Sequence, residues 1–160
     1  MNILWAPWRA KFVKKNKYTT CIFCKKSKSK NDNKNYIIYR GKYNFIMLNL
    51  YPYSNGHLMV APYRHISKLE ELTDSELFEL FDLVRKMVKV LEKTHKIHGC
   101  NIGINLGKAA GAGIEDHIHV HIVPRWFGDT NFMPVISNTK VIPEWLDITY
   151  KLLKKEVKKL

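Results

Sequence analysis

His117-Ile118-His119-Val120-His121-Ile122-Val123 is the stretch on which the reading of this chain turns. Histidine stands at every second position, with an aliphatic residue between each pair. In an extended strand, residues two apart share a face. The pattern therefore predicts a strand with His117, His119 and His121 in one row, roughly 7 Å apart along the chain. Ile118, Val120 and Ile122 form the opposite row and face a core. Pro124, which has no N–H to donate, is expected to end the ladder. Imidazole titrates near neutrality. Such a row can hold a nucleophile, a proton carrier or a metal ligand, and the pattern alone leaves all three open.

Upstream lies Gly107-Lys108-Ala109-Ala110-Gly111-Ala112-Gly113, made almost wholly of small residues. Such a loop lets backbone approach a ligand closely and offers N–H groups to an anion. Before it, Asn101 to Leu106 reads as a strand, as do Tyr36 to Tyr39, Asn44 to Leu50 and Gly56 to Ala61. These strands suggest an antiparallel meander. Thr73-Asp74-Ser75-Glu76 has capping-box spacing and opens a long helix ending near His95, with Gly99 as a stop. Leu77, Leu80, Phe81, Val84, Met87, Val88 and Leu91 form its expected core stripe. A second helix is expected over 143–160, with Trp145, Ile148, Leu152 and Val157 on one side.

The 160 residues, 46% hydrophobic and 12% aromatic, predict one globular domain over 1–160. No apolar run reaches membrane-spanning length. Met1 to Phe12 mixes tryptophan, proline and arginine, unlike a secretory signal, so a cytoplasmic protein is expected. Trp5-Ala6-Pro7-Trp8-Arg9 predicts an ordered arm over 1–20, because bare tryptophans are costly in water. The net charge is +13, and its distribution is uneven. Residues 1–42 carry 12 Lys/Arg against one acid, Asp32, whereas 43–150 carry 10 against 12. The ends therefore hold the basic excess, which fits a solvated surface better than a nucleic-acid site. Residues 25–35, polar throughout, read as a loop.

Three cysteines without a signal peptide argue against a disulfide framework. Cys100 reads as a small buried hydrophobe. Cys21-Ile22-Phe23-Cys24 supplies half of a tetrahedral zinc site, a redox pair or two buried thiols; the spacing does not choose among them.

Taken together, these residues resemble the histidine triad family of nucleotide hydrolases and transferases. The resemblance rests on His117 to Arg125, on Gly56-His57-Leu58-Met59-Val60-Ala61-Pro62, and on Asn49. Leu4 to Arg9, Cys21 to Cys24, Asn105-Leu106-Gly107 and Pro124 to Phe132 are similar to the prokaryotic diadenosine tetraphosphate phosphorylases and hydrolases. The resemblance implies an α+β fold, an antiparallel sheet of about five strands carrying a long helix, and a homodimer with a joined sheet. It implies cleavage of dinucleoside polyphosphates through a nucleotidyl-histidine intermediate, with water or phosphate as acceptor. His119 would be the nucleophile, and His121 and His57 would contact phosphate and the leaving group. Asn49 would hold ribose hydroxyls. Asn105 and the backbone of Gly111, Ala112 and Gly113 would hold phosphate. Zinc-containing relatives complete the cysteine pair with the positions of His65 and His117, which implies a structural zinc and no organic cofactor. The partners implied are an AMP-containing nucleotide and a second copy of the chain, not a membrane or a nucleic acid. One departure is visible: Ala112-Gly113-Ile114-Glu115-Asp116 stands where many relatives carry glutamine and a hydroxyl residue. Phosphoramidate hydrolysis, or a slow nucleotide-binding adaptor, are the competing readings.

Overall fold

The computed structural model describes residues 21–129, 136–137 and 140–159. The arm expected over 1–20 lies outside these residues, as does the end of the motif after Asp129. Five strands form one antiparallel sheet: β1 (Ile37–Arg40), β2 (Asn44–Leu48), β3 (Leu58–Pro62), β4 (Gly99–Ile104) and β5 (Val120–Arg125). Their order across the sheet is β1-β2-β3-β5-β4. Among the described residues the main helices are α1 (Ile22–Lys28), α2 (Asp32–Asn35), α3 (Asp74–His95) and α4 (Leu146–Val157). The α+β architecture with a long helix and a C-terminal helix is thus the one expected. None of the described helices is long and apolar enough to cross a membrane.

Strand alternation divides the sheet into two faces. Ile46, Leu48, Leu58, Val60, Val120 and Ile122 pack against Leu80, Leu83, Met87 and Leu91 of α3 and Leu153 of α4. Phe45, Met47, Met59 and Ala61 point the other way and meet Phe23 of α1. β2 and β3 are buried throughout, because both faces are covered. The histidine row lies on the α1 side: Phe23 touches the rings of both His117 and His119.

Several expectations need correction. β5 begins at Val120 rather than His117 and runs through Pro124. The pairing with β3 stops at Ile122, so Pro124 meets only β4, opposite Cys100. Residues 25–35 are not a loop but mostly α1 and α2, since Phe23 anchors one helix and the Asn31 side chain caps the other. The core stripe of α3 is rotated: Leu83 and Val90 are buried, while Leu77 and Phe81 are exposed. The same happens in α4, where Thr149, Tyr150 and Leu153 join Val157 inside and Trp145, Ile148 and Leu152 stay exposed. Periodicity finds a helix more reliably than it finds which of two adjacent apolar rows meets the sheet.

The start of α3 holds the turns on which the site depends. Thr73 and Glu76 make both bonds of the capping box. The Glu76 carboxylate also receives Arg64 through Nε at 2.6 Å and Nη2 at 2.7 Å. That guanidinium holds the Glu76 carboxyl down to about 2. The next residue after Arg64 is His65, so the ion pair fixes the loop that presents it. Glu79 gathers the N–H groups of Lys42, Tyr43 and Asn44, each at 2.7 Å, and so closes the turn between β1 and β2. Beyond α3, the left-handed stop is Lys96 (φ 50°), not Gly99, which already belongs to β4.

Candidate active site and metal-binding cluster

A cavity of about 440 Å³ opens on the α1 side of the sheet. His119 and His121 line it, with Asn49, Asn105, Gly111 and Gly113. His119 is only 5% exposed. Its Nδ1 lies 2.8 Å from the carbonyl oxygen of His117. A carbonyl only accepts, so Nδ1 carries the proton. Nε2 is left with its lone pair and, among the described residues, without a partner. Burial pushes the pKa of this ring down. The imidazole is therefore neutral, in the tautomer a nucleophile requires.

The same logic fixes two more rings. The Tyr53 N–H donates to His57 Nδ1 at 3.1 Å. His57 Nδ1 must then be bare, and its proton sits on Nε2. His57 Nε2 lies 2.9 Å from His121 Nδ1. That bond places the His121 proton on Nε2, the nitrogen not engaged by His57. Burial pushes His57 down to about 3 and His121 down to about 4, with the neighbouring histidines adding to both. Each ring thus holds one proton at neutral pH. A backbone N–H that cannot change its role sets the whole chain. His57 is itself fully buried and does not line the cavity. The direct contact expected from it to phosphate is not offered by this geometry; its Nε2 reaches His121 instead. Gly56 (φ 71°) precedes it, and a Cβ there would meet Leu91 Cδ2 at 3.1 Å, so the tight turn before His57 favours glycine.

The small-residue loop contributes less backbone than expected. The Gly111 N–H donates to the Lys108 oxygen and the Ala112 N–H to the Gly107 oxygen, at 2.9 and 3.3 Å. Ala112 is absent from the cavity wall, since its N–H closes the turn. Gly113 lines the cavity, and its N–H has no partner among the described residues. Asn105 Nδ2 holds the loop by donating to the Gly111 oxygen at 3.3 Å. Asn49 faces the cavity with its Oδ1 receiving the Tyr51 N–H at 2.9 Å.

The sequence reading missed Phe23, Tyr53 and the basic wall. Lys25, Lys26 and Lys34 line the cavity, whose described wall contains no acid. Burial lowers Lys26 to about 8. The signal was the lysine excess before residue 42, which looked like surface because α1 and α2 looked like loop.

Behind the row, Cys21, Cys24, His65 and His117 bring four ligand atoms within 4.8 Å of one another. His117 Nδ1 lies 3.3 Å from Cys21 Sγ and 3.3 Å from His65 Nδ1, and Cys24 Sγ lies 3.4 Å from that same atom of His65. A tetrahedral zinc with ordinary bond lengths has ligand–ligand edges of about 3.3 to 3.8 Å. His117 Nε2 donates to the Pro62 oxygen at 2.9 Å, which turns its bare Nδ1 toward the group. The donor set and the spacing fit zinc, and the two halves separated in sequence are brought together as expected.

A three-histidine row on an antiparallel sheet, its middle ring bare toward a basic cavity, defines a histidine triad protein. The HIT domain family model matches residues 30–128, and the chain belongs to that family. It is 48% identical over 125 residues to AP-4-A phosphorylase of Mycobacterium tuberculosis strain H37Rv, covering 78% of this chain. The chain spans 64% of the length of that relative. An uncharacterised HIT-like protein of Methanocaldococcus jannaschii is 36% identical over 68% of this chain and 81% of its own. Among solved structures, a Zn-bound histidine triad family protein from Mycobacterium smegmatis superposes with TM-score 0.70 at 25% identity, covering 88% of this chain and 94% of that one.

Proposed function

We propose that the chain is an enzyme that splits dinucleoside polyphosphates of the diadenosine tetraphosphate type. The observation carrying this reading is the His119 ring, held by the His117 carbonyl with Nε2 bare at the cavity. The Nε2 lone pair attacks the α-phosphorus, an N–P bond forms, and the P–O bond to the remaining nucleoside polyphosphate breaks. The His117 carbonyl then faces a ring that has become cationic and stabilises it. Water or inorganic phosphate attacks the phosphorus next, releasing AMP or ADP and the neutral ring. The similarity to an AP-4-A phosphorylase supports the polyphosphate class.

Phosphoramidate cleavage would use the same three rings, so turnover of the two kinds of substrate separates the readings. Asn49, Asn105 and Gly113 would hold the ribose and the phosphate in this reading.

The same proposal includes zinc at Cys21, Cys24, His65 and His117. Bound there, it would be structural and would fasten α1 to the sheet. A cytoplasmic homodimer, joined along the free edge of β4 where Ile102 is 46% exposed, and a single domain over the whole chain complete it. The test is incubation with diadenosine tetraphosphate, with and without inorganic phosphate. ADP plus ATP indicates phosphorolysis and AMP plus ATP hydrolysis; no turnover in either condition defeats the proposal.

A further inference from the structure

A second cavity, of about 740 Å³, adjoins the catalytic one. Leu50 and Tyr51 belong to the walls of both. Its far side is the segment leading into α4, chiefly Ile142, Pro143 and Trp145, with Pro52 opposite. Trp145 is 78% exposed. Its indole N–H has no partner among the described residues. Together with Leu50, also exposed, Trp145 makes this wall a contiguous apolar patch, the kind of surface that marks a binding groove. Lys140 also stands in this wall. The acid there, Glu144, has its Oε2 engaged by Thr149 and His95.

We infer that this second cavity holds the distal nucleoside of the dinucleoside polyphosphate, the one that leaves with the departing group. The inference rests on the polyphosphate reading above and adds to it a site for the substrate's other half. The substrate has two nucleosides joined by a polyanionic chain. Two of the cavities among the described residues share Leu50 and Tyr51 as walls, and the first contains the attacking ring. The size suits a nucleoside, since small-molecule sites run from about 300 to 1,000 Å³. The wall suits a base, which stacks on an indole face without regard to its identity. Lys140, whose Nζ lies 4.0 Å from Asp129 Oδ2, stands in the same wall and would turn from that long ion pair to the last phosphates before the base. The arrangement therefore selects for a second aromatic base rather than for a particular one.

The test compares kcat/KM for diadenosine tetraphosphate with that for adenosine 5′-tetraphosphate, which has the same phosphates and no second nucleoside. The full chain is used, with a thermal melt to show that each variant is folded. Trp145→Ala is expected to lower the ratio of the two values about tenfold, the loss falling on KM. Trp145→Phe should restore most of it. A ratio that does not move, or a parallel fall on both substrates, overturns the inference. So does a change in oligomeric mass with the ratio intact, which would make Trp145 a contact between copies. If the unaltered chain turns over neither substrate, the enzymatic reading fails by itself, and binding decides the site. His119→Asn protein must then bind diadenosine tetraphosphate several-fold tighter than adenosine tetraphosphate and lose that margin with Trp145→Ala; otherwise the inference falls too.

Discussion

The Nδ1 of His119 donates to the main-chain oxygen of His117, and His117 offers its own Nδ1 to the Cys21, Cys24 and His65 cluster. The proposed nucleophile thus takes its tautomer from the backbone of a proposed metal ligand. Phe23 lies against both rings, with centroids 5.0 Å from His117 and 4.7 Å from His119, so α1 holds the pair from above.

Replacing the nucleophile tests the arrangement most directly. His119→Asn keeps a polar side chain of similar length but no nucleophilic nitrogen. Turnover of diadenosine tetraphosphate should fall about a thousandfold or more. Nucleotide affinity, measured by equilibrium titration, should change only a few-fold. Retained turnover would move the chemistry elsewhere. A slow adaptor would instead keep its binding output in this variant.

His57 acts through His121, so its loss should look different. His57→Phe keeps a ring but removes the proton donor to His121 Nδ1. His121 can then carry its proton on either nitrogen, and kcat should drop about a hundredfold with little change in KM. The pH profile has a definite sign. Burial holds His57 down to about 3 and His121 down to about 4, so both stay neutral well below pH 6. His119 must also be neutral to attack, and burial pushes it below its ordinary value. Activity should therefore persist below the usual imidazole range and be lost as pH falls towards about 4. Stability follows the same rings. The unfolded chain takes up these protons near pH 6.5 and the folded chain does not. The stability is therefore complete above about 6.5 and is lost as pH falls towards about 4. Denaturant midpoints across that range would measure it, and a midpoint indifferent to pH there would contradict the burial argument.

Much of this was legible beforehand, and the gaps have physical causes. The alternation over 117–123 gave the row and its face, because side-chain period is a local property of a strand. The capping box at Thr73 and Glu76 was readable for the same reason. The place of His57 behind His121, and not on the cavity wall, was not. It depends on β3 lying beside β5, with Met59 opposite His121, and on the Tyr53 N–H reaching His57. Those contacts join residues that no short window contains. The basic wall was missed because α1 is held by one buried side chain, Phe23, in an otherwise polar stretch. A single anchor leaves no periodic trace. The free N–H groups expected of the small-residue loop were misjudged, since its own turn consumes those of Gly111 and Ala112.

Metal content is the next measurable consequence. Protein purified without chelator should contain about one zinc per chain. Cys24→Ser should lose it and melt several degrees lower. Removal of the metal by a chelator should lower the melting temperature of the unaltered chain and leave that of Cys24→Ser nearly unchanged. Stoichiometric zinc retained in the serine variant, or none in the unaltered chain, would remove the metal from the account and leave four side chains that merely pack.

The basic wall makes the last prediction. Lys25, Lys26 and Lys34 face a cavity whose described lining has no acid, so a polyanion is attracted before any contact forms. Such attraction weakens with salt, and KM for diadenosine tetraphosphate should rise between low and high ionic strength. Lys26 adds a pH signature. Burial lowers it to about 8, so it is charged below that pH and neutral above. KM should therefore climb as pH passes about 8, although bound substrate will hold the proton somewhat longer. Lys26→Met removes both the charge and its titration. Its KM should be several-fold higher at pH 7, and the alkaline rise should flatten. A variant that keeps the rise would assign it to another group, and one with unaltered KM would make the wall a solvated surface after all.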